Sequence, residues 1–347
     1  NMSDPKPAAQ VAGMAQAIDR QTNTPLAALF AEQATWVFLA AVLAALILSL
    51  ATDTFASPQN LFNVTRNFAF VGLVALGMTV VIISGGIELS VGSVVCLSAM
   101  VQAIVMNAGF GFWTGAVLAL GASAMVGFVN GALIAWLRMP SFVVTLGMLS
   151  IARSLAMVLS DNRMIYEFGP DQDLLFLLGG GSTFGIAHPV IALVGLGMPT
   201  AFLLRWTRWG THVFAIGANE RAAVLTGIAV PWVKISVYVF AAIMAGVTGI
   251  LEAGWLGGVT TNLGQSMELA VIAATVIGGA NLLGGSGTVT GAVVGAALIE
   301  IIRNSLILLG ISTFWQGAFV GFFIILAVAF DRLRALRHRD RRLAERD

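Results

Sequence analysis

The chain gathers its apolar residues into repeated runs of about 20, the length an α-helix needs to cross a hydrocarbon core about 30 Å thick. Ten such runs are read, at 35–52, 61–83, 91–108, 110–137, 140–159, 188–204, 234–256, 268–283, 287–309 and 312–330. Nothing else in the sequence limits the fold as strongly, because backbone in lipid must satisfy its own hydrogen bonds, and only helices and closed barrels do so. A membrane barrel would show alternating segments of about ten residues, and these runs do not alternate. Charged residues make up 10% of the chain, against about 25% in a soluble domain. The expected fold class is therefore an all-α polytopic membrane protein. The weakest breaks are 53–60 and 257–267, and reading through both leaves eight spans.

An even number of spans puts both termini on one side, and the arrangement of Lys and Arg chooses that side. With the termini cytoplasmic, the inner segments hold Lys6, Arg20, Arg138, Arg205, Arg208, Arg221, Lys234 and the seven arginines from Arg332 to Arg346. Only Arg66 and Arg163 fall outside, and Arg153 and Arg303 fall within spans. All eight tryptophans lie at or near expected span ends, where an amphipathic ring prefers the headgroup level. Three parts follow: a polar cytoplasmic tail at 1–34, a membrane domain at 35–330 with a cytoplasmic loop at 205–233, and an Arg-rich cytoplasmic tail at 331–347. The first tail carries Pro5, Pro7 and Pro25 and lacks the apolar core of a cleavable signal.

Small residues recur every four positions at Ser123, Gly127, Gly131 and Ala135, and again at Gly287, Gly291 and Gly295. Such stripes let helix backbones approach closely in lipid, either within the chain or between copies. Catalytic chemistry is missing. A phosphate-binding P-loop needs a lysine after its glycines, and neither Lys6 nor Lys234 follows one. The three histidines, His188, His212 and His338, lack metal-ligand spacing. Cys96 is a lone thiol in an apolar run. A net charge of +1 points to no nucleic-acid partner. A transport component without catalytic groups or a metal is favoured over an enzyme.

Ionisable groups within spans are candidate functional residues. Glu300 and Arg303 are three apart on one helix face and read as a structural ion pair, with gating as the alternative. Arg153 and Glu252 lie late in outward-running spans, where snorkelling to the headgroups accounts for them. Glu88 stands in "GGIELSVGS", Gly85 to Ser93, between two apolar runs. In one reading Ser90 and Glu88 cap the following helix. In the other, the break is non-helical backbone that faces a polar solute. "GGANLLGGSG", Gly278 to Gly287, is a similar break on the same expected side. Paired interruptions of this kind point to a solute path, with Glu88, Ser90, Asn130 and Asn281 as candidate path residues. In the 205–233 loop, Asn219 is a good N-cap, Glu220 suits a helix start and Gly227 suits the position past its end. A short helix from Glu220 to Thr226 is expected. So short a helix needs something to pack on, either its own protein or a partner.

Four segments, "GGIELSVGSVVCLSAMV", "MPSFVVTLGMLSIARSLA", "AIGANERAAVLTGI" followed by "VKISVYVFAAIMAGVTGIL", and "VIGGANLLGGSGTVTGAVVGA", together resemble the ribose/xylose/arabinose-type ABC transporter permeases, of the branched-chain amino acid/ribose permease superfamily. The resemblance runs from about residue 60 to 330. It implies a type II-importer-like fold in a bacterial inner membrane and import of a monosaccharide. It also implies three protein partners: a second permease copy, a periplasmic sugar-binding protein and a cytoplasmic ATPase that binds the ATP and Mg, so that this chain holds no cofactor. Asn219, Glu220, Arg221, Ala222, Ala223 and Gly227 fall on the family's ATPase-coupling loop. Glu88 stands where the family usually has Asp, and Asn281 where Ser is common. The alternatives are an ion-coupled carrier that uses an intramembrane carboxylate such as Glu300, or an ABC permease for a branched-chain amino acid or nucleoside.

Overall fold

The computed structural model describes residues 33–312 and, beyond them, 315–319, 321, 322 and 325. The expected tails, apart from Gln33 and Ala34, and most of the expected span at 312–330 lie outside the described residues. Twelve α-helices are described: α1 (Gln33–Ala51), α2 (Pro58–Ile83), α3 (Val91–Asn107), α4 (Phe112–Ala135), α5 (Ser141–Leu159), α6 (Gln172–Gly180), α7 (His188–Trp206), α8 (Arg208–Ala218), α9 (Glu220–Leu225), α10 (Val230–Leu256), α11 (Met267–Ile277) and α12 (Val289–Leu308). A two-residue hairpin, Ser182–Thr183 with Ile186–Ala187, precedes α7. Seven of these helices (α1, α2, α4, α5, α7, α10 and α12) are long and apolar enough to cross a membrane. The protein is an all-α polytopic membrane protein.

Helix starts follow local chemistry. Ser57 accepts a hydrogen bond from the Asn60 amide, and Pro58 opens α2 without losing a needed donor. Thr288 caps α12 by accepting from Gly291 N at 3.0 Å. Helix α2 is buried along its second half, from Ala69 to Ile83, with α10 packed beside it. Glycine makes this possible: a Cβ at Gly77 would stand 2.6 Å from Ala241 Cα. The two small-residue stripes pack within the chain. Gly127 and Gly131 bring α4 onto α10, where a Cβ at Gly131 would stand 2.6 Å from Ile235 Cα. Gly291 and Gly295 bring α12 onto the backbone of Gly278 and Ala274.

The structure corrects several sequence expectations. The expected span 268–283 is helical only over Met267–Ile277, about 16 Å of helix and roughly half a hydrocarbon core. Residues 257–266, within the weak break expected at 257–267, form a non-helical segment that runs along α3. Val259 pairs with Ile165 through hydrogen bonds of 2.8 and 3.0 Å, the Cys96 thiol faces the carbonyls of Thr260 and Thr261, and Gly264 packs on the backbone of Gly92. Gly92 is about 22 Å of helix from the other end of α3 at Asn107, so the segment reaches deep into the bundle. Arg153 does not snorkel: it donates to Thr261 O at 2.9 Å and Leu263 O at 2.5 Å, holding that segment. Nor does Glu252, which is 6% exposed. The 205–233 segment contains α8 in addition to the expected short helix, and α10 begins at Val230 rather than 234.

Gly131→Val should lower stability by about 1–3 kcal/mol through overpacking against α10. Gly121→Val, where nothing lies within 4 Å, should leave the melting temperature in detergent nearly unchanged.

Candidate functional site

Helix α2 ends at Ile83 and α3 begins at Val91. The seven residues between them turn back into the bundle. Gly85 takes a φ of +80°, open to glycine at no cost. Gly86 approaches Tyr238 of α10 so closely that a Cβ would collide with the phenol oxygen. Ile87 N then donates to Ser141 Oγ at 3.3 Å, and Glu88 follows at 3% exposure.

Glu88 is the centre of a buried network. Its Oε1 accepts from Ser90 N at 2.7 Å and from Ser90 Oγ at 2.5 Å. Its Oε2 accepts from Asn130 Nδ2 at 2.8 Å, and the same amide reaches Ser90 Oγ at 3.2 Å. Among the described residues no Lys, Arg or His pairs with this carboxylate. Three short hydrogen bonds therefore stand in for a counter-ion. Capping is only part of the account: Ser90 is the N-cap of α3 by position, but its side chain caps nothing. Asn130 Oδ1 and Ser93 Oγ have no partner among the described residues, which leaves polar capacity beside the network.

Three of the four expected path residues, Glu88, Ser90 and Asn130, thus meet. Asn281 does not join them. Its Oδ1 accepts from Leu283 N at 2.9 Å and its N donates to Ser286 O at 3.1 Å, which closes a turn. The two glycine-rich breaks do touch, through Gly285 N donating to Ile83 O at 2.9 Å and through Gly284 against Gly85.

A cavity of ≈530 Å³ opens over this segment. Ser84, Gly85 and Gly86 line one side and Tyr238 and Lys234 another, with Arg138, Asn219 and Glu220 completing the polar rim. Helix α9 lies at this cavity. Asn219 Oδ1 accepts from Ala222 N at 3.1 Å, as its N-cap role predicts, and Gly227 follows with a φ of +83°. Glu220 is tied to Lys234 of α10 at 2.7 Å, and Ala223 is buried. Arg221 and Ala222 are exposed. So are Val224 and Leu225, at 56% and 88%. Sequence reasoning passed over these two, although apolar residues within a polar loop were the available signal.

A second cavity, ≈370 Å³, lies at the opposite end of the bundle between the end of α10, the 257–266 segment and Arg303 of α12. Glu252 lies about 27 Å of helix beyond Lys234 along α10. Arg303 reaches Glu300 at 3.8 Å, the expected pairing at three residues' spacing. Among the described residues no group of three or more His, Cys, Asp or Glu is placed to hold a metal ion.

Comparison with known proteins places this architecture. The family model described as "Branched-chain amino acid transport system / permease component" matches residues 60–328. The chain belongs to this permease family. The ribose import permease protein of Bacillus subtilis (strain 168) is 35% identical over 303 residues, covering 86% of this chain and 92% of that protein. The corresponding protein of Escherichia coli K12 is 33% identical over 301 residues, 86% and 93% of the two chains. The L-arabinose ABC transporter permease protein of Azospirillum brasilense is 35% identical over 289 residues, 83% and 84%. No solved structure matches.

In this permease the Glu88 network is a fastening with little tolerance for lost donors. Asn130→Ala leaves a buried carboxylate oxygen short of a donor and should destabilise by about 2 kcal/mol. Glu88→Ala should cost less in that background than in the wild type, as a double-mutant cycle of thermal unfolding in detergent would show.

Proposed function

We propose that this permease is the membrane-spanning subunit of an ATP-binding-cassette importer that carries a monosaccharide across a bacterial inner membrane. It works as a pair of copies with ten spans each and both termini cytoplasmic. Named relatives that import ribose and arabinose support the substrate class. The observation that carries the mechanism is α9. It is a six-residue helix, too short to be stable alone, yet fastened by its Asn219 cap, by buried Ala223 and by the Glu220–Lys234 pair. Fastened this way, it presents Val224 and Leu225 to solvent. Exposed apolar side chains on a rigid, polar-flanked element mark a docking point, and the partner is the ATPase that supplies the hydrolysis this chain lacks.

The α9 end is then the cytoplasmic end. A pull on α9 passes through Lys234 into α10 and, through the cavity wall, to the 84–90 segment. That segment closes the floor of the cytoplasmic cavity through Gly86 and Tyr238, with the Glu88 network behind it. The opposite cavity faces outward. Transport consists of opening one cavity while the segment between them stays closed to the other. Residues 160–187, with α6 and the small hairpin, lie on the outward face, where the sugar-binding protein delivers its load.

In vesicles that hold the complete importer, Val224→Asp with Leu225→Asp should cut ATP-driven uptake of labelled ribose or arabinose more than tenfold, with membrane insertion and melting temperature unchanged. Undiminished uptake removes the coupling role of α9. Uptake of pentose on an ion gradient without the ATPase contradicts the import mechanism.

A further inference from the structure

The outward cavity holds residues that the coupling mechanism leaves unused. Its wall from Thr260 to Gln265 belongs to the non-helical segment along α3, and Thr260, Asn262 and Gln265 are exposed there. Irregular backbone at membrane depth is tolerated only when buried in protein or lining a polar cavity, and Thr260, Asn262 and Gln265 open onto this one. Glu252 lines the same cavity. It is 6% exposed and forms no hydrogen bond or ion pair within the described residues. Arg303 pairs with Glu300 at 3.8 Å, too long for a hydrogen bond, and its charge also acts on Glu252, so the guanidinium sits between two carboxylates at the cavity. Trp255 closes one side. Its ring is already held by the Arg66 guanidinium at 4.4 Å and by Phe70 at 5.5 Å.

We propose that this cavity is a solute subsite for a single monosaccharide, placed outward of the Glu88 barrier. The proposal rests on the sugar-import reading and specifies where the sugar halts. A monosaccharide presents adjacent hydroxyls that each donate and accept, together with an apolar C–H face. Glu252 supplies acceptors, Arg303 supplies donors, the amides of Asn262 and Gln265 supply both, and Leu256, Leu263 and Met267 beside Trp255 supply an apolar wall. A volume of ≈370 Å³ falls within the range of small-molecule pockets. The carboxylate and guanidinium would also suit the two charges of a free amino acid. Trp255, Leu256, Leu263 and Met267 line the cavity as well, so leucine stands beside the pentoses as a probe, and the relatives that carry ribose and arabinose favour the sugar. The segment is also strapped outward, since Thr261 Oγ1 donates to Asn162 Oδ1 at 2.8 Å and Val259 pairs with Ile165. Contact at 160–187 therefore reaches the subsite wall directly.

The test uses the full chain in lipid nanodiscs and saturation-transfer NMR with D-ribose, L-arabinose and L-leucine as probes. At least one pentose should bind saturably, and Asn262→Ala with Gln265→Ala should weaken it at least fivefold. Both side chains are exposed and make no hydrogen bond within the described residues, so the melting temperature should hold. Glu252→Gln should weaken the same pentose. Absence of pentose binding, binding unchanged by both variants, or binding of leucine in place of the pentoses overturns the proposal. Uptake by the complete importer separates the two readings. Pentose import by wild type at a rate the variants do not alter sinks the subsite alone, whereas a wild-type importer that moves no pentose sinks the import reading.

Discussion

Backbone that leaves the helix inside a membrane bundle must find hydrogen-bond partners within the protein, and the architecture depends on how two segments do so. The first, 84–90, enters from the α9 end and is fixed by the Glu88 carboxylate, which gathers the Ser90 amide, the Ser90 hydroxyl and the Asn130 amide. The second, 257–266, enters from the opposite end and is held by Arg153 through two backbone carbonyls. They converge on the first turn of α3, where Gly92 and Gly264 touch backbone to backbone. A side chain at either glycine would force the segments apart, so the pairing of breaks depends on glycine at both positions.

This convergence lies between the cavity over residues 84–86 and the cavity beside the 257–266 segment. Each segment opens polar space at its own end, and the closed region around Gly86, Tyr238 and Glu88 separates them. Short, discontinuous elements such as α11 have loose ends that can shift without unravelling a full span. The apolar stripes behave in the opposite way. Gly77, Gly127 and Gly131 lock α2 and α4 to α10 at backbone distance, making these helices a rigid frame. The non-helical segments are the parts of the bundle that this close packing leaves outside the frame.

Much of this was legible in the sequence because lipid imposes strong rules. Helix positions, the small-residue stripes, the Asn219 cap and the break at Gly85–Ser93 were read from hydropathy, spacing and capping chemistry, and the structure places helices, contacts and a cap there. Asn130 was named with Glu88 as a candidate path residue, and it proves to be a hydrogen-bond partner of Glu88. The break at 257–266 was read, but not its course, because glycine and threonine in "GGVTTNLGQS" signal non-helical backbone equally well outside the membrane and within it. Only the contacts with Cys96 and Gly92 distinguish the two. Arg153 was misassigned for a related reason: its partners are backbone carbonyls more than 100 residues away, and carbonyls leave no mark in a sequence. Helix α8 was missed because its polar start, "RWGTH", reads as loop until Thr207 is seen accepting from Gly210 N.

The central claim is that the polar cavities at the two ends of the bundle open to opposite faces and are separated near Glu88. Thiol accessibility tests it most directly. With Cys96 replaced by Ala, single-cysteine variants Gln265→Cys and Lys234→Cys are exposed to a membrane-impermeant thiol reagent in right-side-out and inverted vesicles. The account predicts that Gln265→Cys reacts only from the outer face and Lys234→Cys only from the cytoplasmic face. Reaction of both from one face, or protection of Gln265→Cys from both, would contradict it.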